Sequence, residues 1–299
     1  MSVVARDFTG REVIGMNKKI MLNVVSIIAT LSLAAGATFA FFTDSETSEG
    51  NLFQAGTIDL KVGNDAWYNG VEQTNLSWEM KDLEDELFFD YSDLKPGDWE
   101  EDTISLQVND NPSWICANLK VTSDDDMDCT GPEEDDDVCV ADNDDAWDGE
   151  LGQELSFIFW ADDGDSVLEV GEQVVMSGSP ADLPRGDNNV GETFPIIDSQ
   201  TSLFEEGPLP AEQIIYIGKA FCFGNLTEAP VAAGDNSPAE DPGFTCDGSL
   251  VTNAAQTDKL MGALSFMAVQ SRSNEVFVCG ARTMLGLDNK DPGTWERIS

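Results

Sequence analysis

Apolar residues occur along this chain mainly in short stretches that are separated by turn-forming residues. Polar and apolar residues alternate over residues 57–62 (TIDLKV), which is typical of a half-buried strand. Other stretches repeat this two-residue period or form short continuous apolar runs. The strands predicted in this way cover residues 57–62, 103–108, 114–122, 155–160, 173–176, 213–223, 259–269 and 275–278.

In three of the predicted strands the two-residue period places the apolar side chains on one face. These residues are Ile104, Leu106 and Val108, then Ile115, Ala117, Leu119 and Val121, and finally Ile215, Ile217, Phe221 and Phe223. A single helix is predicted at residues 78–87, a turn at Pro96–Gly97, and loops at 178–195 and 224–249. Irregular strand spacing without an internal repeat predicts an all-β fold with few short helices, a jelly-roll-like antiparallel β-sandwich with long acidic loop insertions.

A hydrophobic run precedes the first predicted strand. From Met16 the chain reads MNKKIMLNVVSIIATLSLAAGATFA, with two lysines before an apolar core and small residues at its end. This pattern predicts a secretory signal peptide that is cleaved between Ala40 and Phe41. The alternative is an uncleaved membrane anchor, because the apolar run over residues 20–42 is long enough to span a bilayer.

The segment behind the predicted cleavage site carries large apolar residues in otherwise polar surroundings. These residues are Phe41, Phe42, Leu52 and Phe53. A strand added to an open sheet edge satisfies its backbone groups and seats alternate side chains in pockets. Burying the four side chains would contribute roughly 6–12 kcal/mol before ordering costs. The segment is therefore a predicted donor strand, and the alternative is that residues 41–54 fold back on their own domain.

These patterns predict three parts of the chain. Residues 1–40 form an N-terminal extension and signal peptide, residues 41–56 a donor-strand arm, and residues 57–299 the sandwich domain. Inside the domain, residues 123–150 contain fourteen acidic residues and no basic residue. Such a block repels itself, so we expect an exposed, partly disordered insertion unless cations or a disulfide order it.

The charge of the chain limits its partners. Fifteen basic residues stand against 57 acidic ones, which gives a formal net charge of −42. This surface repels nucleic acid and anionic lipid, so membrane contact is expected only through an uncleaved signal peptide. The expected partners are cations, supplied as divalent metal, by a high-salt medium or by a basic surface, besides further copies of the chain itself.

The six cysteines favour disulfides, because their even number occurs in a chain with a predicted export signal. Cys222 and Cys246 bracket a loop rich in Gly, Pro and Asn and are the predicted pair. A zinc site is the competing interpretation, but the chain has no CxxC spacing and no histidine. The pairing of the other four cysteines is not predicted: Cys116, Cys129, Cys139 and Cys279.

Residues 161–172 (ADDGDSVLEVGE) are spaced like a calcium-binding loop. Calcium takes six to eight oxygen ligands, which alternate residues of a tight loop can supply. Two positions depart from the EF-hand pattern: Ala161 replaces the first Asp, and Ser166 replaces the turn Gly. An acidic hairpin without metal is the alternative. The predicted calcium ligands are Asp162, Asp163, Asp165, Glu169 and Glu172, with the backbone carbonyl of Val167.

No catalytic motif is found in the sequence, and we predict that the protein is not an enzyme. Because the chain contains no histidine, it cannot form a Ser-His-Asp triad, a Cys-His pair or an HExxH zinc site. Pairs of carboxylates are too numerous on so acidic a chain to identify a glycosidase-like site.

Four segments resemble the TasA/camelysin family of exported biofilm-matrix fibre proteins. They are GATFAFFTDSET, GNLFQAGTIDLKV, LKPGD and LSFMAVQ. The resemblance implies a secreted jelly-roll subunit of an extracellular matrix fibre or pilus, which polymerises head to tail by donor-strand exchange after signal-peptide cleavage. Camelysin itself is described as a metalloprotease, but this chain has no histidine for such a site. A monomeric, calcium-stabilised surface or adhesion domain is the alternative, and a secreted metalloprotease is a third possibility.

Overall fold

The computed structural model describes residues 58–135, 145–184, 191–234 and 236–280, together with the backbone of three short strands nearer the N-terminus. The chain divides into two compact units, Met1–Phe41 and Phe42–Ser299. In the first unit, β1 (Ala5–Arg6) pairs antiparallel with β2 (Glu12–Val13). The apolar run of the predicted signal peptide and the cleavage site at Ala40–Phe41 lie outside the described residues. Within the described residues, no helix is long and apolar enough to cross a membrane.

The second unit is mostly β-structure, with two short α-helices among its described residues. The helices are α1 (Gly131–Glu134) and α2 (Leu151–Glu154). The strands are β3 (Thr43–Glu46), β4 (Asp59–Tyr68), β5 (Val71–Glu72), β6 (Trp78–Lys81), β7 (Trp99–Asn109), β8 (Ser113–Asp125), β9 (Leu155–Asp162), β10 (Val174–Gly178), β11 (Glu192–Ile197), β12 (Ile214–Phe223), β13 (Asn225–Glu228), β14 (Phe244–Asp247) and β15 (Lys259–Gln270).

Two antiparallel sheets form the layers of the sandwich. The larger sheet has seven strands in the order β10-β9-β12-β7-β4-β5, with β6 also paired to β4. The smaller sheet has four strands in the order β11-β8-β15-β3, and a separate hairpin joins β13 to β14. The predicted all-β antiparallel sandwich is therefore confirmed.

The main core lies between the sheets and consists of the apolar faces that the sequence predicted. Ile104, Leu106 and Val108 of β7 are completely buried, and Ile115, Ala117, Leu119 and Val121 of β8 oppose them in one cluster. Burial of one alternating face stabilises the fold by roughly 25 cal/mol per Å2 of apolar surface removed from water. A shift of one residue would expose that face, so burial determines the register of each strand.

The outer face of the larger sheet is also covered. Ile158 and Trp160 of β9 pack with Ala220 of β12, with Leu168 and with Phe244 of β14. The Trp160 indole lies so close over Gly218 that a Cβ there would be 2.0 Å from the ring. Because β9 is buried on both faces, residues 155–160 read as a continuous apolar run rather than an alternating one.

Four predictions of local structure were wrong. Residues 78–87 contain no helix, since Trp78–Lys81 forms β6 and pairs with β4. Residues 275–278 form turns instead of a strand, and the Phe277 N–H donates to the Asn274 carbonyl. The predicted loops at 178–195 and 224–249 include the start of β11 and the β13–β14 hairpin. For the three segments that contain strands, pairing with another segment decided the outcome, which local pattern does not show.

The acidic segment 123–150 is more ordered than expected where the structure describes it. β8 continues to Asp125, and α1 follows with a capping box from Thr130 and Glu133. Asp124, Asp126 and Glu133 are buried. These three side chains depart from the expected exposure, and the expectation allowed for order through a disulfide, which Cys129 forms.

Two disulfides connect described residues. Cys222 and Cys246, the predicted pair, lie with their sulfur atoms 2.03 Å apart. Cys116 of β8 is bonded to Cys279, which lies beyond the end of β15. Cys129 is also disulfide-bonded.

Candidate functional site: an acidic loop and a strand edge

The predicted calcium loop leaves the larger sheet at the end of β9. One carboxylate oxygen from each of Asp162, Asp163 and Glu172 lies within 4.8 Å of the others. The structure thus brings together three of the predicted ligands. The cluster combines a buried Asp162 with a half-buried Glu172 and an exposed Asp163.

Local hydrogen bonds close this loop. Glu172 accepts from the Asp163 N–H at 3.1 Å and from the Glu169 N–H at 2.8 Å. Ser166 has a φ of +63° and its hydroxyl lies 2.5 Å from that of Thr103 on β7. Ser166 therefore adopts the left-handed conformation that the turn Gly of a calcium loop would adopt, at a cost of roughly 1–2 kcal/mol.

The remaining predicted ligands point to other partners or are not part of the cluster. Glu169 accepts from the Gly234 N–H at 3.0 Å and from Asn236 Nδ2 at 2.5 Å, and so binds a neighbouring loop. Asp165 accepts from the Val167 N–H at 3.0 Å, and the Val167 side chain is completely buried. Of the six predicted calcium ligands, three therefore have converging carboxylates. The other three, Asp165, Val167 and Glu169, form contacts within the loop, in the core or with a neighbouring loop.

Negative charges crowd this site. Burial raises the pKa of Glu172 to about 7, and the charges of Asp162 and Asp163 add to the increase. Burial also raises the pKa of Asp165 to about 6, again with a contribution from Asp162 and Asp163. A bound cation would reverse this repulsion and favour the ionised carboxylates.

Glu101 on β7 is a further acid beside the loop, completely buried, which the sequence did not indicate. Glu101 pairs with Ala220 of β12 and lies on the same sheet face as Thr103. The Thr103 hydroxyl donates to Asp162 Oδ2 at 3.0 Å, which connects this face to the loop. Neither carboxylate oxygen of Glu101 has a hydrogen-bond partner. Burial and the nearby Asp162 raise the pKa of Glu101 well above its usual value. Its place in the acidic run Glu100–Glu101–Asp102 is typical of a solvated segment, so the sequence carries no signal for it.

The opposite face of the same strands holds a buried group of three charges. Lys219 Nζ lies 2.5 Å from Glu100 Oε1 and 2.8 Å from Asp102 Oδ2, and all three side chains are at most 1% exposed. The Phe89 ring covers the ammonium group at 4.0 Å. Burial alone lowers the pKa of Lys219, but Asp102 and Glu100 raise it above its usual value. Because Lys219 is fully enclosed in protein, we assign this group to the fold.

The second candidate feature is the edge of the smaller sheet beside β15, where β3 is the last strand. Thr43–Glu46 forms β3 and pairs antiparallel with residues 266–269 of β15 in the same chain. These four residues belong to the predicted donor arm, whereas Phe41, Phe42, Leu52 and Phe53 lie outside the described residues. The pairing is the arrangement expected if the arm folds back on its own domain.

The comparison with known proteins agrees with the resemblance found in the sequence. Residues 15–139 match the family model described as camelysin metallo-endopeptidase. The match includes β4, β7 and β8, and it ends before the acidic loop and before β15. No curated protein matches the chain. The predicted TasA/camelysin resemblance is thus confirmed, and over residues 15–139 this chain is similar to the camelysin family.

Proposed function

We propose that the protein is an exported structural subunit of an extracellular filament, either a biofilm-matrix fibre or a pilus. The disulfides fit an oxidising extracellular compartment. The observation that carries the proposal is β3, a four-residue strand from the N-terminal arm that pairs at the edge of the smaller sheet. The same edge in a neighbouring copy would accept the same strand.

Exchange between copies preserves the backbone pairing that the structure shows within one chain. Residues 47–58 separate β3 from β4, so the arm is long enough to leave its own domain. The ladder over four residue pairs contributes only a few kcal/mol, at about 0.5–1.5 kcal/mol per hydrogen bond. Release of β3 is therefore a small cost, and burial of Phe41, Phe42, Leu52 and Phe53 in the next copy would favour a head-to-tail polymer.

Cleavage of the signal peptide would control this assembly. While the peptide remains attached, it tethers the arm to the membrane and blocks its transfer to a neighbour. Removal of residues 1–40 frees the arm at Phe41 at the cell surface or in the medium. The membrane is therefore a partner only before cleavage.

Electron microscopy of two purified versions tests the exchange directly. A protein that starts at Phe41 should form filaments, whereas one that starts at Thr57 lacks the arm and should stay monomeric. A Phe42→Asp, Phe53→Asp double variant of the longer version keeps the length of the arm and should also fail to assemble. Filaments from both lengths, or from neither, would contradict the proposal.

A calcium ion in the loop of Asp162, Asp163 and Glu172 would stabilise the subunit. The support is the convergence of three oxygen ligands in a region where burial and like charges raise the pKa of Glu172 to about 7. Isothermal titration with CaCl2 should show one equivalent of bound calcium that is lost in Asp163→Asn and in Glu172→Gln. Glu205→Gln, which removes a carboxylate that lies outside the cluster, is the matched control. An absence of calcium-binding heat in the parent protein would end this part of the proposal.

A monomeric surface or adhesion domain is the second candidate, and the pairing of β3 with its own chain favours it. It predicts no filaments from either length of protein. The family description as a metallo-endopeptidase names a third activity. Because the chain has no histidine, we expect no casein hydrolysis in the presence or absence of chelator.

A further inference from the structure

A second group of acidic side chains lies where the acidic segment meets the start of β15. Asp126 directly follows β8, Glu133 lies in α1, and Asp258 directly precedes β15. One carboxylate oxygen from each of these three residues lies within 4.8 Å of the others. The group shares no residue with the loop at 162–172.

Backbone donors hold one oxygen of two of these carboxylates in place. The Thr130 N–H donates to Glu133 Oε2 at 3.0 Å, and the Glu150 and Leu151 N–H groups donate to Asp258 Oδ2 at 2.6 and 2.9 Å. The other oxygens, Glu133 Oε1 and Asp258 Oδ1, are buried and have no hydrogen-bond partner. Glu133 is only 1% exposed, so this oxygen is shielded from bulk solvent.

The charges near these oxygens are unfavourable for the ionised acids. Burial, followed by the charge of Asp126, raises the pKa of Glu133 above its usual value. Burial raises the pKa of Asp258 to about 6, with contributions from Asp126 and Asp124. Neither Glu133 nor Asp258 forms an ion pair with a basic residue in the part of the chain that the structure describes. A cation would supply the missing partner for both.

We propose that Asp126, Glu133 and Asp258 bind a calcium ion, which fastens the acidic segment to the base of β15. An all-oxygen set of carboxylates suits a hard cation. Ca–O distances of about 2.3–2.6 Å allow two ligands of one calcium ion to be up to roughly 5.2 Å apart, so oxygens that lie within 4.8 Å of one another can share one ion. Magnesium usually keeps several waters and binds only one or two carboxylates, so three converging carboxylates favour calcium. Water would complete the coordination.

Two hydrogen bonds beside the proposed ion already hold the acidic segment against the turn before β15. Thr257 donates through its hydroxyl to the Asp128 carbonyl at 2.5 Å, and Thr130 donates to Gln256 at 2.7 Å. The acidic segment therefore already contacts the turn before β15 through neutral groups. The three carboxylates repel one another across this contact, and the ion would convert their repulsion into attraction.

Isothermal titration of the EGTA-stripped protein with CaCl2 at pH 7.5 tests the site, together with thermal unfolding in the same buffer. We expect Glu133→Gln to lose one equivalent of bound calcium and to show a smaller calcium-dependent rise in Tm. Because glutamine removes a buried charge, this variant should be at least as stable as the parent in EGTA. Loss of calcium binding is then separated from loss of folding.

Glu134→Gln, which changes the exposed neighbour of Glu133, is the matched control and should keep all bound calcium. Glu172→Gln should remove only the calcium of the 162–172 loop. Each variant therefore tests one calcium site without affecting the other. An unchanged calcium stoichiometry in Glu133→Gln would overturn the proposal. An equal rise in Tm with MgCl2 in the parent would overturn the assignment to calcium.

Discussion

Lys219 is surrounded on the inner face of the larger sheet by groups that keep it charged. Glu100 and Asp102 supply opposite charges, and the Phe88 carbonyl and the Phe89 ring complete its surroundings. Burial and the charge of Asp102 raise the pKa of Glu100 well above its usual value. Lys219 Nζ contacts both carboxylates, so its charge offsets part of the cost of burying them.

Replacement of the lysine should therefore be costly. We expect Lys219→Met to reduce the free energy of unfolding by about 3–5 kcal/mol, because Asp102 would lose its buried counter-ion. Chemical denaturation measures the loss. Lys259→Met removes an exposed lysine of β15 and should change stability by less than about 0.5 kcal/mol.

A triple variant separates charge from packing at the same position. Adding Glu100→Gln and Asp102→Asn to Lys219→Met removes the uncompensated acids, so part of the lost stability should return. If the triple variant is less stable than Lys219→Met alone, the electrostatic explanation is wrong.

Individual strands differ in how well the sequence predicts them. β7, β8 and β12 were predicted because each has an apolar face with a two-residue period, which a sandwich core requires. β6 and β11 are short and are defined by pairing with β4 and β8, and no local pattern reports such a partner. Long-range pairing is therefore the main information that the sequence pattern lacks.

The candidate loop shows the same limit at a smaller scale. The spacing of Asp162, Asp163 and Glu172 was enough to predict that their carboxylates converge. Spacing could not show that Glu169 binds Asn236 instead, or that Glu101 on another strand lies beside the loop. Ligands that come from one loop can be predicted from their spacing in the sequence, whereas ligands from separate strands cannot.

The β3–β15 ladder gives a prediction with a built-in control. Consecutive residues of a strand direct their N–H groups to opposite sides, so only one of Asp44 and Ser45 donates to β15. One of the substitutions Asp44→Pro and Ser45→Pro should therefore lose a ladder hydrogen bond and reduce filament yield, while the other is tolerated. Filament counts by electron microscopy measure both. Equal effects of the two substitutions would show that this ladder does not hold the arm.

The acidic groups of the whole molecule make its stability depend on pH. The pKa of Glu172 is raised to about 7, and those of Asp165 and Asp258 to about 6. In the unfolded chain these groups titrate near pH 4, so the folded state holds the extra protons. Their contribution to the free energy of unfolding is fully present below about pH 4 and is lost as the pH rises through 6 and 7.

We therefore expect the Tm of the protein in EGTA to fall between pH 4.5 and pH 7.5. Calcium should oppose this fall, because it binds the ionised carboxylates and stabilises the folded state by mass action. A Glu172→Gln, Asp258→Asn double variant should show a flatter profile in EGTA. Differential scanning fluorimetry across this pH range makes the measurement, and a Tm that rises toward pH 7.5 in EGTA would contradict the assigned pKa shifts.

The Cys116–Cys279 disulfide has a mechanical consequence for a fibre. It joins β8 to the segment beyond β15, and Cys116 lies opposite Met267 in the pairing of these strands. If tension passes through an arm inserted beside β15, the covalent bond prevents β15 from peeling away from β8 at that end. Each link would then yield by the arm sliding out, so that an overloaded fibre breaks between folded subunits that remain able to join again.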